Sequence, residues 1–86
     1  MRAEELVQIV RRQPFVPFRL FLTDGRTHDI RHPELIWVQK ARVDVAVDPD
    51  PKTGVIDRVD FLSLLHIVRV EDIEATTTKR KSNGKR

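Results

Sequence analysis

The sequence predicts a mainly β domain preceded by one α-helix, and three observations support this. Apolar residues recur at helical spacing up to Val10 and then at every second position from Phe18. The dipeptide Asp24-Gly25 lies after the first alternating segment, where it is the strongest short signal for a β-hairpin. The segment RVDVAVD at 42–48 alternates between apolar and polar residues, as a strand with one buried face does.

An amphipathic helix is predicted over residues 2–12, RAEELVQIVRR. Its apolar residues follow the i, i+3, i+4, i+7 spacing of one helical face: Ala3, Leu6, Val7 and Val10. Pro14 ends the helix, because the residue before a proline is pushed out of the helical conformation. A helix of about eleven residues is marginal in isolation, so its apolar face must pack on the rest of the domain.

The connector RRQPFVP at 11–17 has two interpretations. It contains a basic residue followed by a PxxP pattern, which SH3 domains bind in exposed peptides. Alternatively, it only joins the helix to the sheet. Polyproline geometry has three residues per turn, so Phe15 and Phe18 would lie on the same side and anchor in the core. Burying two phenylalanines contributes about 3–6 kcal/mol, which favours the connector interpretation.

The first two strands are predicted to form a hairpin. The first strand turns Phe18, Leu20 and Leu22 towards the interior. A two-residue type I′ turn at the Asp-Gly pair predicts three facing pairs: Thr23 with Arg26, Leu22 with Thr27, and Phe21 with His28. The second strand ends near Arg31, because Pro33 cannot donate a hydrogen bond to a neighbouring strand.

Further strands are predicted at LIWVQ (35–39), RVDVAVD (42–48), VIDRVDFLS (55–63) and IVRVE (67–71), with LLH (64–66) as a tight turn. LIWVQ is apolar at successive positions, which is typical of a strand buried on both faces. RVDVAVD turns Val43, Val45 and Val47 inward. With the hairpin these make six candidate segments, and we expect them to form a sheet of about five short antiparallel strands. A sheet this small with two apolar faces is expected to curl and close on itself.

Two segments, FRLFLTDGR at 18–26 and FLSLLHIVRVE at 61–71, resemble the first hairpin and the strand–turn–strand close of Sm-like proteins. This family of SH3-like barrels includes the bacterial Sm-like RNA chaperone. The resemblance covers roughly residues 4–71 and implies a five-stranded antiparallel SH3-like (Sm-like) barrel with a short turn of helix before the last strand. It also implies RNA binding and homo-oligomers that form through edge strands. The segments LIWV at 35–38 and FLSLLHIV at 61–68 offer more apolar surface than one barrel of this size needs, which favours the same self-association.

In the chaperone, a Lys-His pair near the equivalent turn contacts RNA. Here His66 matches the histidine, but Leu65 stands in place of the lysine, so the cationic half of the pair is missing. The alternative for His66 is a partly buried histidine that supports the turn. The stretch PFVPFRLFLTDGRTHDIRHPE at 14–34 also resembles the signature PFxPFRLxLTDGRxxxIRHPE of a small bacterial family, and that resemblance implies no activity.

Charge is divided unevenly along the chain. Residues 1–75 contain 11 Lys and Arg against 13 Asp and Glu, whereas residues 76–86 contain five cations and no acid. Every apolar residue lies before position 76. We therefore expect one domain over 1–75 and a disordered basic tail over 76–86. Cysteine is absent, which excludes disulfides and thiolate sites. With neither a leader nor a long apolar run, a soluble cytoplasmic protein without a membrane partner is expected.

Catalytic, cofactor and metal sites are not predicted. His28 and His32 are four residues apart, which on a strand separates them by about 13 Å, too far to share one metal ion. Ser63, His66 and Asp60 are the residue types of a catalytic triad, but their short spacing does not favour triad geometry. We therefore expect a non-enzymatic protein without a cofactor.

Two binding functions remain. Weak RNA or DNA binding is the leading prediction, because cations of the tail can contact phosphates, together with His66 at the turn. The tail cations are Lys79, Arg80, Lys81, Lys85 and Arg86. The alternative is a protein-interaction or regulatory adaptor without a nucleic-acid role. The net negative charge of residues 1–75 and the missing lysine beside His66 favour this alternative.

Overall fold

The structure is a computed structural model that describes residues 1–73. One helix and six strands make up this part of the chain: α1 (Ala3–Val10), β1 (Phe18–Leu22), β2 (Thr27–Ile30), β3 (Ile36–Val38), β4 (Arg42–Val47), β5 (Arg58–Ser63) and β6 (Ile67–Asp72). Single helical turns at Pro33–Leu35 and Leu64–His66 precede β3 and β6. The strands form two antiparallel sheets, a first sheet of order β2-β1-β6 and a second sheet of order β3-β4-β5.

The mainly β class and the N-terminal helix are confirmed, but the closed five-stranded barrel is wrong. Residues 1–73 contain six strands, and no strand pairing among them joins the two sheets. The cause is the interruption at Pro33, which the sequence already indicates. The helical turn Pro33–Leu35 separates β2 from β3, so no single long strand runs through both sheets.

The interior lies between the two sheets, with α1 packed against it. Its most buried large side chains are Leu6, Phe18, Leu20, Ile30, Val43 and Val45. The predicted inward faces of β1 and β4 are confirmed, except that Val47 is only half-buried. Leu6 is the buried residue of the helix, and Ala3, Ile9 and Val10 are partly buried against the core. The helix therefore depends on the sheets for most of its stability.

The proline-containing connector between α1 and β1 anchors in the interior. Phe18 is fully buried and Phe15 is half-buried against it, with ring centroids 6.0 Å apart. Arg12 holds the connector from the other side, because its guanidinium donates to the Val16 carbonyl at 3.2 Å and to both carboxylate oxygens of Asp72 at 2.9 and 3.2 Å. These contacts favour the connector interpretation over an exposed PxxP ligand.

The hairpin of β1 and β2 forms in a register that differs by one residue from the predicted one. Phe21, which was expected opposite His28, faces Thr27. A type I′ turn needs positive φ at both central residues, but positive φ in this loop is confined to Gly25, at 89°. The loop is a three-residue connection that ends on this glycine, and each predicted pair is therefore wrong by one position.

Two further strands depart from the sequence prediction. In β3, Ile36 is buried but Trp37 is 45% exposed, so the expectation of a strand buried on both faces is wrong. β5 begins at Arg58 rather than at residue 55. In β6, Val68 is an extra residue between the pairs formed by Ile67 and Arg69, which is a β-bulge.

No helix within residues 1–73 is long and apolar enough to cross a membrane.

Candidate functional site

The outer side of the second sheet carries an exposed apolar surface. We call it the outer apolar face and define it by five residues: Trp37 of β3, Arg42 and Asp44 of β4, and Val59 and Phe61 of β5. Trp37, Val59 and Phe61 are 45%, 41% and 65% exposed, and they are three of the six exposed large apolar side chains in residues 1–73. Single exposed apolar residues are ordinary, whereas a group on one face makes that face a candidate interaction surface.

Strand register brings these side chains together. Trp37 and Phe61 both pair with Asp44, one from each side, so the three form a row across the sheet. Val59 lies two positions away from Phe61 on the same strand and therefore points to the same side. On the central strand β4, the residues that alternate with Arg42 and Asp44 are Val43 and Val45, and both are buried in the interior.

The two charged residues of the face contact each other and one aromatic ring. The guanidinium carbon of Arg42 lies 4.4 Å from the centroid of the Phe61 ring. Its Nε donates to Oδ1 of Asp44 at 2.9 Å. An exposed cation–π contact of this kind contributes about 0.5–1 kcal/mol. The face as a whole carries one cation and one carboxylate, so its net charge is zero.

His66 lies where the sequence predicts it, in the helical turn before β6, but it is exposed rather than partly buried. Its Nδ1 is 3.2 Å from the Thr23 hydroxyl, and its carbonyl accepts a hydrogen bond from the Thr23 N–H at 2.9 Å. The histidine therefore does support this turn, by tying it to the β1–β2 loop. A cleft of about 290 Å³ opens beside it, with Arg26, Phe61 and Ser63 in its walls.

The structure does not bring together the triad types Ser63, His66 and Asp60. The Ser63 hydroxyl accepts a hydrogen bond from the Leu65 N–H at 3.3 Å, which caps the helical turn. His66 is bonded to the β1–β2 loop, and Asp60 is bonded to His28. Each of the three side chains is therefore held in a different direction.

Sequence reasoning missed the contact between His28 and Asp60. His28 of β2 and Asp60 of β5 both turn inward, and His28 Nε2 lies 3.0 Å from Oδ2 of Asp60. Among the described residues, this is the one side-chain hydrogen bond between a strand of the first sheet and a strand of the second. The hydrogen bond from His28, followed by one from Arg58, lowers the pKa of Asp60. The pair lies 32 positions apart in the chain, so no local pattern indicates it.

His28 carries one further feature. Its Nδ1 is buried and has no hydrogen-bond partner among the described residues. Within the same part of the chain, no group of three or more histidine, aspartate or glutamate side chains is arranged to hold a metal ion. The contact with Asp60 makes His28 a link between the two sheets.

Most cations of the domain are already paired. Eight of the eleven Lys and Arg side chains in residues 1–73 lie within ion-pair distance of an Asp or Glu. They are Arg2, Arg12, Arg19, Arg26, Arg31, Arg42, Arg58 and Arg69. Cations neutralised in this way have less free charge for phosphates. The tail cations predicted to contact nucleic acid, Lys79, Arg80, Lys81, Lys85 and Arg86, lie outside the described residues.

Comparison of the chain with family models, curated proteins and solved structures gives no significant match. The helix, the first hairpin and the helical turn before the last strand are all present, and these elements carry the resemblance to Sm-like proteins. That resemblance, and the RNA binding that it implies, stay predictions.

Proposed function

We propose that this protein is a non-catalytic protein-interaction module that binds through the outer apolar face. The observation that carries the proposal is the grouping of Trp37, Val59 and Phe61 on one side of the second sheet. Exposed aromatic residues beside an arginine are typical of the centres of protein interfaces. The pairing of most domain cations with acids favours this function over nucleic-acid binding by the domain.

The test compares the full chain with two serine variants. Phe61→Ser removes an aromatic ring from the outer apolar face. Leu65→Ser is the matched control, since Leu65 is 86% exposed but lies in the helical turn, outside the face. Each protein is immobilised and incubated with a nuclease-treated extract, and the retained proteins are identified.

We expect a specific protein, a second copy of this chain included, to be retained by the original chain and by the Leu65→Ser variant. The Phe61→Ser variant is expected to lose it. Retention that is equal on all three proteins, or that nuclease treatment abolishes, would contradict the proposal.

A second function, weak nucleic-acid binding, is supported by the five cations at 79–86. Its test is deletion of residues 76–86, followed by titration with single-stranded RNA at several salt concentrations. Loss of up to five phosphate contacts is expected to weaken binding and to flatten its salt dependence. Binding that the deletion leaves unchanged would show that the tail has no role in it.

A further inference from the structure

The outer apolar face is complementary to itself. We propose that a second copy of this chain binds to it face to face, about a twofold axis that lies between the two copies and passes over β4 at the level of Val43. This inference deepens the proposed function and rests on it, because it names the partner of the same face. It differs from association through edge strands, since the strands of the two copies would stack rather than pair.

The charges of the outer apolar face are complementary under a twofold rotation. Arg42 and Asp44 lie on either side of Val43, and both point outward. A twofold axis that lies between the stacked sheets and runs perpendicular to β4 makes the two central strands antiparallel. It therefore places Arg42 of each copy opposite the partner's Asp44. Four charges of alternating sign then meet at the centre, and no like charges face each other.

The sizes of the side chains are also complementary across this axis. Phe61 pairs with Asp44, and Ser63 of the same strand pairs with Arg42. Because the axis places Asp44 opposite Arg42 of the second copy, it also places Phe61 opposite Ser63 of the second copy. Each phenylalanine therefore faces a small residue. Trp37 is in the same row on β3, and equivalent aromatic rings of the two copies are offset by about two residues, or 7 Å. They can interdigitate without collision. Stacked sheets cross at about 30°, so the match is best at the centre, where the charges lie.

The size of the face sets the strength of the association. A six-residue strand is about 20 Å long and three strands are about 15 Å wide, which gives a footprint of about 300 Å² for each copy. Stable complexes bury about 800 Å² on each partner. We therefore expect a weak dimer, with a dissociation constant on the order of 100 µM or above.

The experiment is sedimentation equilibrium of the full chain between about 10 µM and 1 mM, a range that spans weak association. The original chain is expected to be monomeric at the low end and substantially dimeric at the high end. Arg42→Asp and Asp44→Arg each place like charges opposite each other across the axis. Each is expected to weaken the dimer at least about tenfold.

Two rescues make the test specific. In an equimolar mixture of the two charge variants, the acidic pair of one meets the basic pair of the other, so a heterodimer is expected to form. The double variant Arg42→Asp/Asp44→Arg restores opposite charges across the axis and is expected to form a homodimer again. Neither an unrelated partner nor edge-strand association predicts these rescues.

Arg69→Asp is the matched control, because it removes a similar arginine–phenylalanine contact from the first sheet, where Arg69 lies 3.9 Å from the Phe21 ring centroid. Its dimerisation is expected to be unchanged. Thermal unfolding monitors the fold of every variant. If a charge variant does not fold, Phe61→Ser replaces it and is expected to weaken the dimer.

Three results would overturn the inference: a monomer at all concentrations, a dimer that none of the face variants weakens, or charge variants that the mixture does not rescue. The proposed function fails separately. A different protein that is retained only when Phe61 is present would support the interaction module. If the chain is also monomeric in sedimentation, the second copy is rejected as the partner of this face.

Discussion

The outer face of each sheet carries an arginine over a phenylalanine ring, but the two rings differ in how much of their surface is buried. On the first sheet, the Arg69 guanidinium lies 3.9 Å from the Phe21 ring centroid, and the ring is half-buried. On the second sheet, the Arg42 guanidinium lies 4.4 Å from the Phe61 ring centroid, and Phe61 stays 65% exposed. An arginine over the ring is therefore not enough to cover it.

Strand position explains the difference. Phe21 lies on the central strand β1, where Thr27 and Arg69 flank it from both sides. Phe61 lies on the edge strand β5, so only β4 supplies a neighbour. The rest of the first sheet's outer face is occupied by ion pairs, such as Arg19 with Asp29 at 2.6 Å. The first face is closed by its own charges, whereas the second keeps apolar surface available for a partner.

The core lies between the two sheets and supports both of them. The largest loss of stability is therefore expected from a substitution in the core. Phe18 is fully buried, and Phe18→Ala is expected to lower the free energy of unfolding by about 3–5 kcal/mol. Urea unfolding measures this. A loss below about 1 kcal/mol would show that Phe18 is not part of the core.

A smaller loss is expected where the two sheets are linked. His28→Ala removes the hydrogen bond to Asp60 and is expected to cost about 1–3 kcal/mol of unfolding free energy. His32→Ala, at an exposed position, is the control and is expected to change stability by less than about 0.5 kcal/mol. Equal effects of the two substitutions would reject a structural role for the His28–Asp60 contact.

The comparison of the two faces is tested directly by their phenylalanines. Phe21→Ala is expected to cost about 1–2 kcal/mol of unfolding free energy, because half of the ring is buried. Phe61→Ala is expected to cost less than about 1 kcal/mol and to raise solubility. If both cost the same, the two rings are equally covered and the contrast between the faces is wrong.

The smallest effect is expected from pH. The hydrogen bond from Arg19 lowers the pKa of Asp29, and the hydrogen bond from His28 lowers that of Asp60, each from a usual value of 3.8. A carboxyl whose pKa is lowered by folding stabilises the native state at any pH above its pKa in the unfolded chain. This contribution is lost as the pH falls through its pKa in the folded protein.

We therefore expect the contribution of these two carboxyls to be constant between pH 5 and 7 and to fall below about pH 4. Asp29→Asn and Asp60→Asn are each expected to make the decline on the acid side shallower. Urea unfolding at a series of pH values measures this. A decline that both substitutions leave unchanged would show that other groups control the acid sensitivity.

The sequence predicts those parts of the fold that depend on local periodicity. The alternation in β1 and β4 identifies Phe18, Leu20, Val43 and Val45 as core residues, and the helical spacing identifies Leu6. These predictions hold because a period of two or of 3.6 determines which side chains share a face.

The remaining features depend on choices that a local pattern does not make. Periodicity separates the two faces of β3 but does not show that Trp37 remains 45% exposed. The Asp-Gly pair is compatible with a two-residue or a three-residue loop, and this choice alters the whole hairpin register. The contact of His28 with Asp60 depends on how two separate sheets stack. For the same reason, the outer apolar face could not be predicted before the strand order was known.

The most direct test of an open outer apolar face is the accessibility of Trp37 in the dilute monomer. Trp37 is the single tryptophan of the chain, which contains no tyrosine, so intrinsic emission reports on the outer apolar face alone. We predict that acrylamide quenches this emission readily at low micromolar protein, because the side chain is 45% exposed. Emission that is shielded while the chain sediments as a monomer would mean that the chain covers this face itself, and would contradict an open binding face.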